Sequence, residues 1–323
     1  AHLSVPLRLS DGRVYGTFCC FSFLPDHTLN QRDVQMMHAF AELAAVQIEV
    51  GLELAAREAE TVARVNAVIA RGGPAMVHQP IYRLDDDQVV GIECLACFPD
   101  CETRPPDLWF AEAAEVGLGV ELELAALRAA LASLPYFPDR LYLAVNLSPQ
   151  TLLSGGVEAV LAGVPAGRVV LEITEHAVVS DYAGLQRVLE PLRSRVRIAI
   201  DDAGAGYSGL RHILDLRPDI IKLDMSLTRG IDSDPARSAL AGALVTFART
   251  IGGRIVAEGV ETRAELAALR TLGVDCAQGY YLRRPMPLPA AVMFVIAREF
   301  RPEGACAVPR RVLSAGPKKR AVN

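Results

Sequence analysis

Long uninterrupted apolar runs are missing from this chain of 323 residues. None approaches the ~18 uncharged residues that a membrane-spanning helix needs, so no membrane crossing is expected. The first apolar stretch also lacks the charged start and small-residue cleavage pattern of a signal peptide, so none is expected. Positive charge is not in excess: 33 Lys and Arg stand against 38 Asp and Glu, the net charge is -5 and the pI is near 5.8. Such a balance argues against a surface for duplex nucleic acid. A disulfide framework is not indicated either. The seven cysteines, Cys19, Cys20, Cys94, Cys97, Cys101, Cys276 and Cys306, are odd in number in a long, core-rich chain, which points to reduced thiols and a cytoplasmic setting. Cys94 and Cys97 have the spacing of a zinc pair, but no second pair accompanies them, and strand alternation turns these two positions to opposite faces. The chain opens on Ala1 and not on Met, which fits a trimmed piece of a longer protein.

What is present is apolar material, 51% of residues, enough for one large domain and a small appendage. Residues 3–22 alternate as two strands around a turn at Asp11-Gly12. Asn30 then offers a helix cap with Asp33 in the first turn. Helical periodicity runs to Ala70, with Met37, Phe40, Leu43, Ala44, Val46, Val50, Leu54, Val62, Val65 and Ile69 on one recurring face. Arg71-Gly72-Gly73-Pro74 ends it. From Ala75 a new rhythm begins, with short apolar strands alternating with helical stretches such as Trp109–Leu134 and Ala236–Ile251. The strands expected are Ala75–Tyr82, Val89–Leu95, Leu141–Asn146, Val169–Glu172, Val196–Asp201, Ile220–Leu223, Arg254–Glu258 and Cys276–Tyr280. This alternation predicts an α/β fold, a TIM-like (β/α)8 barrel preceded by a strand pair and a long helix. The expected divisions are a strand-pair segment over 1–50, a helical linker over 51–74, the barrel over 75–307 and a flexible basic tail over 308–323.

Polar residues fall at the ends of the expected strands after the first. In chain order they are Glu93; Asn146; Glu172 and Glu175; Asp201 and Asp202; Lys222 and Asp224; Glu258 and Glu261; and Gln278, which Gly279 follows. In a barrel such ends converge on one mouth, where barrel enzymes build their active sites. A carboxylate-rich, oxygen-only set suits hard cations such as Mg2+ or Mn2+ better than zinc. Several carboxylates around an Asp pair fit two ions about 3.5–4 Å apart, which activate water and stabilise the leaving oxygen of a phosphodiester. A lysine at that mouth offsets negative charge developing during attack.

The same residues resemble the EAL family of cyclic di-GMP phosphodiesterases. Glu93-Cys94-Leu95 stands at the position of the family's Glu-Ala-Leu signature. Asn146-Leu147-Ser148, Glu172-Ile173-Thr174-Glu175, Asp201-Asp202, Lys222-Leu223-Asp224, Glu258-Gly259-Val260-Glu261 and Gln278-Gly279-Tyr280 follow in family order. The resemblance implies metal-dependent hydrolysis of cyclic di-GMP to linear pGpG in bacterial second-messenger signalling. It implies metal ligation by Glu93, Asn146, Glu172, Asp201 and Asp202, and water activation by Lys222 and Glu258. Glu175 is implied to anchor the loop after the fifth strand. Leu95, Cys97, Gln278, Asp224, Glu261, Arg284 and Pro285 are implied to meet substrate, and a homodimer is expected. The first 50 residues resemble the closing part of a GAF sensor domain, too short for a complete ligand pocket. Binding without catalysis, and a barrel kept as an interaction scaffold, are the alternatives. A cyclase is excluded by the lack of a Gly-Gly-Asp-Glu-Phe segment.

Two departures from the family pattern stand out. Cys97 occupies the place of an arginine that contacts a substrate phosphate, a contact worth roughly 1.5–3 kcal/mol. Arg104 is either its substitute or part of a solvated loop. The loop Asp201-Asp202-Ala203-Gly204-Ala205-Gly206-Tyr207-Ser208 keeps its glycines, Tyr207 and Ser208, but has Ala203 and Ala205 where the family has a phenylalanine and a threonine.

Overall fold

The computed structural model describes residues 1–25, 27–99, 104–174, 181–203 and 213–299. The basic tail expected from 308 lies outside them, as do Glu175 and the loop 204–212. Strands β1 (His2–Arg8) and β2 (Val14–Phe21) form an antiparallel pair. Helix α1 (Gln31–Ala70) follows, and Asn30 and Asp33 close a reciprocal capping box at its start. Its first turns bury Met37, Ala41 and Ala45 against Val5 and Leu7 of β1. Its last turns bury Val65 and Val68 against Phe98, Trp109 and Leu122 of the barrel. The middle of the helix lies between these two attachments. Phe40, Leu43, Val46, Val50 and Leu54, expected on a packed face, are therefore exposed. No helix among the described residues is long and apolar enough to cross a membrane.

Eight strands close the barrel: β3 (Ala75–Arg83), β4 (Val89–Cys97), β5 (Tyr142–Asn146), β6 (Val169–Thr174), β7 (Arg197–Ala203), β8 (Ile220–Leu223), β9 (Arg254–Ala257) and β10 (Cys276–Ala277). Strands β4 to β10 are parallel neighbours, and β3 joins β4 and β10 antiparallel to both. The reversal follows from connection length. Only Leu84–Gln88 separate β3 from β4, enough for a hairpin and too few for a parallel crossover. The helical stretch expected over Trp109–Leu134 is divided between α2 (Pro106–Glu115) and α3 (Gly119–Leu131), because the chain turns at Gly117 with φ +74°. Strand β10 stops at Ala277 and not at Tyr280. A Cβ on Gly279 would lie 2.2 Å from the Val260 nitrogen, so the backbone there presses on the loop after β9.

Strand alternation puts the chemistry on the barrel axis. Ala144, Val170, Ala199, Ile220, Val256 and Cys276 fill the barrel interior as one apolar cluster with Ile81 and Tyr142. Two residues further along each strand, on the same face, stand Asn146, Glu172, Asp201, Lys222, Glu258 and Gln278. The intervening Val145, Leu171, Ile200, Ile221, Ala257 and Ala277 belong to the main core under the helices.

Candidate active site

Lys222 is the hub of the mouth. Its Nζ lies 2.6 Å from Glu258, 2.8 Å from Glu172, 3.1 Å from Asp201 and 3.2 Å from Glu93, and its side chain is 1% exposed. Gln278 braces the same group: its Nε2 donates to Glu93 Oε2 at 2.6 Å and to Glu258 Oε1 at 3.0 Å. An open, solvent-facing mouth is the expectation for these acids, but Glu93, Glu172 and Asp201 are buried.

Burial and charge act against each other here. Burial disfavours a charged lysine, yet the carboxylates, Asp201 foremost, outweigh it and hold Lys222 well above its ordinary value. Burial raises Glu172 well above the carboxylate range, with Glu93, Asp201 and Glu258 adding to the effect against Lys222. Glu258 is pushed up to about 8 by burial and by Asp201 and Glu93, with Lys222 opposing. For Glu93 burial again raises, but Lys222 and the Gln278 hydrogen bond outweigh it and leave the carboxyl below its ordinary value. One lysine thus faces more carboxylate than it neutralises.

A divalent cation fits this deficit. Glu93, Asp201 and Glu258 each offer a carboxylate oxygen, and the three atoms lie within 4.8 Å of one another. All are hard oxygen donors, the chemistry that Mg2+, Mn2+ and Ca2+ prefer. The family resemblance implies a water-activating role for Glu258; the geometry puts it also among the oxygens able to hold an ion. Asn146 sits exposed at the end of β5. The side chains of Asp202 and Glu175 lie outside the described residues.

Two cavities open beside the cluster. The larger, about 670 Å³, is lined by Leu95 and Cys97, by Asp107 and Phe110 of α2, and by Asn146 and Asp201. The smaller, about 260 Å³, brings Glu93, Glu258 and Gln278 together with Arg229, Glu261 and Pro285. Cys97 and the more deeply buried Cys94 both border the larger cavity, and neither belongs to a group able to hold a metal ion among the described residues. Arg284 lies over the Tyr280 ring at 4.1 Å, at the rim of the smaller cavity. Asp224 lines neither; its carboxylate caps the short helix Met225–Thr228 by accepting from the Ser226 N–H at 2.9 Å. Arg104 does not replace the missing arginine, because it pairs with Glu112 at 3.3 Å and lies 6.0 Å from the Trp109 ring. Asp107 and Phe110 on α2, and Arg229 in the turn after the short helix Met225–Thr228, escaped the sequence pattern because they stand beyond strand ends. The Pro105-Pro106 pair that starts α2 was the available signal for the first two.

A closed α/β barrel with a buried lysine–carboxylate cluster at the C-terminal ends of its parallel strands has the architecture of a barrel enzyme. The chain belongs to the EAL domain family, which matches residues 62–285, and a GAF domain match covers residues 1–48. An "uncharacterized signaling protein" of Caulobacter vibrioides is 36% identical over 68% of this chain and 28% of its own length. The "cyclic di-GMP phosphodiesterase NbdA" of Pseudomonas aeruginosa is 34% identical over 69% of this chain and 30% of its own length. The chain thus spans less than a third of each of these two relatives. Among solved structures, the manganese and cyclic di-GMP complex of Klebsiella pneumoniae BlrP1 is 32% identical, with a TM-score of 0.59 over 66% of this chain and 56% of that one.

Proposed function

We propose that this chain is a metal-dependent phosphodiesterase that opens cyclic di-GMP to linear pGpG. The observation that carries the reading is Lys222 held by Glu93, Glu172, Asp201 and Glu258 at the barrel mouth. Relatives whose names state this activity, and a related structure holding manganese with the nucleotide, supply the substrate class. Glu93, Asn146, Glu172, Asp201 and Asp202 are the proposed ligands for Mg2+ or Mn2+, two ions in all, with Glu258 alongside. Bound there, the ions supply Lewis-acid stabilisation of charge on the phosphoryl oxygens.

The chain's own residues do the rest. Glu258, 2.6 Å from Lys222 and beside the oxygens of Glu93 and Asp201, is placed to accept the proton of the attacking water. Water adds to one phosphorus, the P–O3′ bond breaks, and the departing oxygen takes up a proton. Lys222 stays charged throughout and offsets the negative charge that grows during attack. Gln278 keeps Glu93 and Glu258 aligned. Leu95, Cys97, Glu261, Arg284 and Pro285 border the nucleotide, Asp224 supports it by capping, and Glu175 anchors the loop after β7. The proposed setting is cytoplasmic and the proposed assembly a homodimer. The proposed divisions are the GAF-like segment 1–50, the linker 51–74, the barrel 75–307 and the tail 308–323. Incubation with cyclic di-GMP and Mn2+ should yield pGpG, whereas Ca2+, larger and more loosely coordinated, should bind without supporting turnover. Tight binding with no product in Mn2+ would assign the chain to the receptors instead.

A further inference from the structure

Glu265 lies in the first turn of the helix Arg263–Leu272, where it completes a capping box with Thr262. A capping box needs one bond from such a carboxylate. Glu265 makes three. The Thr262 and Glu261 N–H groups donate to its Oε2 at 2.9 Å each, and the Gly230 N–H donates to Oε1 at 3.0 Å. Gly230 belongs to the connection after β8, and Glu261 to the connection after β9. The carboxylate is buried, and these three backbone donors outweigh burial and hold its pKa below the ordinary value. It therefore remains an anion that bridges two separate loops.

Those loops form one wall of the smaller cavity. Arg229, next to Gly230, donates to Glu261 Oε1 at 2.5 Å, and both line the cavity with Met225 and Gly259. The loops approach so closely that a Cβ on Gly259 would lie 2.5 Å from the Met225 Cβ. Glu258 is held differently. Its N–H donates to Leu223 of β8 at 3.0 Å, and its side chain reaches Lys222, so its place does not depend on Glu265.

We propose that Glu265 is a positioning residue: it staples the loop after β8 to the loop after β9 and so fixes the Arg229–Glu261 wall against which substrate is held. The inference rests on the proposed phosphodiesterase activity for its kinetic consequence, but the staple itself does not. Glu265→Ala should raise KM for cyclic di-GMP about tenfold and leave kcat within about threefold, because the wall is loosened while the Lys222 cluster is not. Glu265→Gln, which keeps one acceptor oxygen, should fall between. Thr262→Ala is the control. Its hydroxyl accepts from the Glu265 N–H, so its loss weakens the same helix cap while sparing the bridge, and KM should stay near wild type.

Amide hydrogen exchange at Gly230 and Glu261 supplies a readout free of activity. Exchange at both should quicken in Glu265→Ala and not in Thr262→Ala. Equal KM changes in Glu265→Ala and Thr262→Ala would reduce Glu265 to a helix cap. Unchanged exchange at Gly230 in Glu265→Ala would overturn the staple itself. A wild-type chain that turns over no cyclic di-GMP would count against the functional proposal, and the exchange result would still decide the staple.

Discussion

Cys97 marks a place where a single side chain changes what the site can hold. It stands four residues beyond Glu93 and lines the larger cavity, at the position where the family resemblance implies an arginine for a substrate phosphate, and a thiol offers no such contact. The cavity of about 670 Å³ leaves room for a guanidinium, and Asp107 and Glu123 on its wall would keep one oriented. Cys97→Arg should therefore tighten cyclic di-GMP binding about tenfold, since Arg makes a planar two-point contact with phosphate. Cys97→Lys should recover less, because a point charge lacks that geometry. Titration of nucleotide in Ca2+ measures both variants without turnover. A folded Cys97→Arg protein with unaltered affinity would mean that this position no longer meets substrate.

At the scale of elements, β3 shows how a reversed strand shapes the barrel's chemistry. It contributes no acid to the cluster; instead it carries the buried His78, opposite Cys94 of β4 and Met286 of the short strand β11 (Met286–Pro287). Burial holds the His78 imidazole below its ordinary value of 6.5, against the opposing effect of the Met286 backbone. The unfolded chain then binds a proton that the folded chain refuses, so this residue's stability contribution is present above 6.5 and declines as pH falls below it. Urea midpoints at pH 7.5 and 5.5 should fall further with acid in wild type than in His78→Leu, and comparing the two cancels the other titrating groups. Equal acid sensitivity would show that His78 already takes up its proton when folded.

Most of the barrel was legible because burial imposes a period of two on its strands and leaves polar residues only where they end. Glu172, Asp201 and Glu258 meet at Lys222, and Gln278 joins them through Glu93 and Glu258. But Glu93, expected at the end of its strand, sits in the middle of β4, which runs on to Cys97. The reversal of β3 was hidden because alternation fixes faces, not direction, and only the five-residue connection to β4 betrays it. The burial of the acids was hidden too, since a sequence shows a charged strand end but not the four partners that let a lysine stay inside. The apolar periodicity of helix α1 is expected to face a partner chain, and Phe40, Leu43, Val46, Val50 and Leu54 face outward in one stripe. Their three- and four-residue spacing is that of a coiled-coil seam. Pairing with a second α1 would cover it, and sedimentation at tens of micromolar should return a dimer that Leu43→Glu with Val50→Glu splits. A wild-type monomer would leave the stripe without that partner.

For the whole molecule, the strand pair and the barrel meet opposite ends of α1, so both are joined through one helix of 40 residues. The barrel end of α1 packs on Trp109, and the next residue, Phe110, lines the larger cavity, which places the helix one side chain from the candidate active site. We propose that the carboxylates gathered on Lys222 hydrolyse a cyclic dinucleotide with the help of a divalent ion. This is tested most directly by incubating wild-type and Asp201→Asn protein with cyclic di-GMP and Mn2+ and separating the nucleotides. The account predicts pGpG from wild type and intact cyclic di-GMP from a folded Asp201→Asn variant. Equal product from both, or none from wild type, would contradict it.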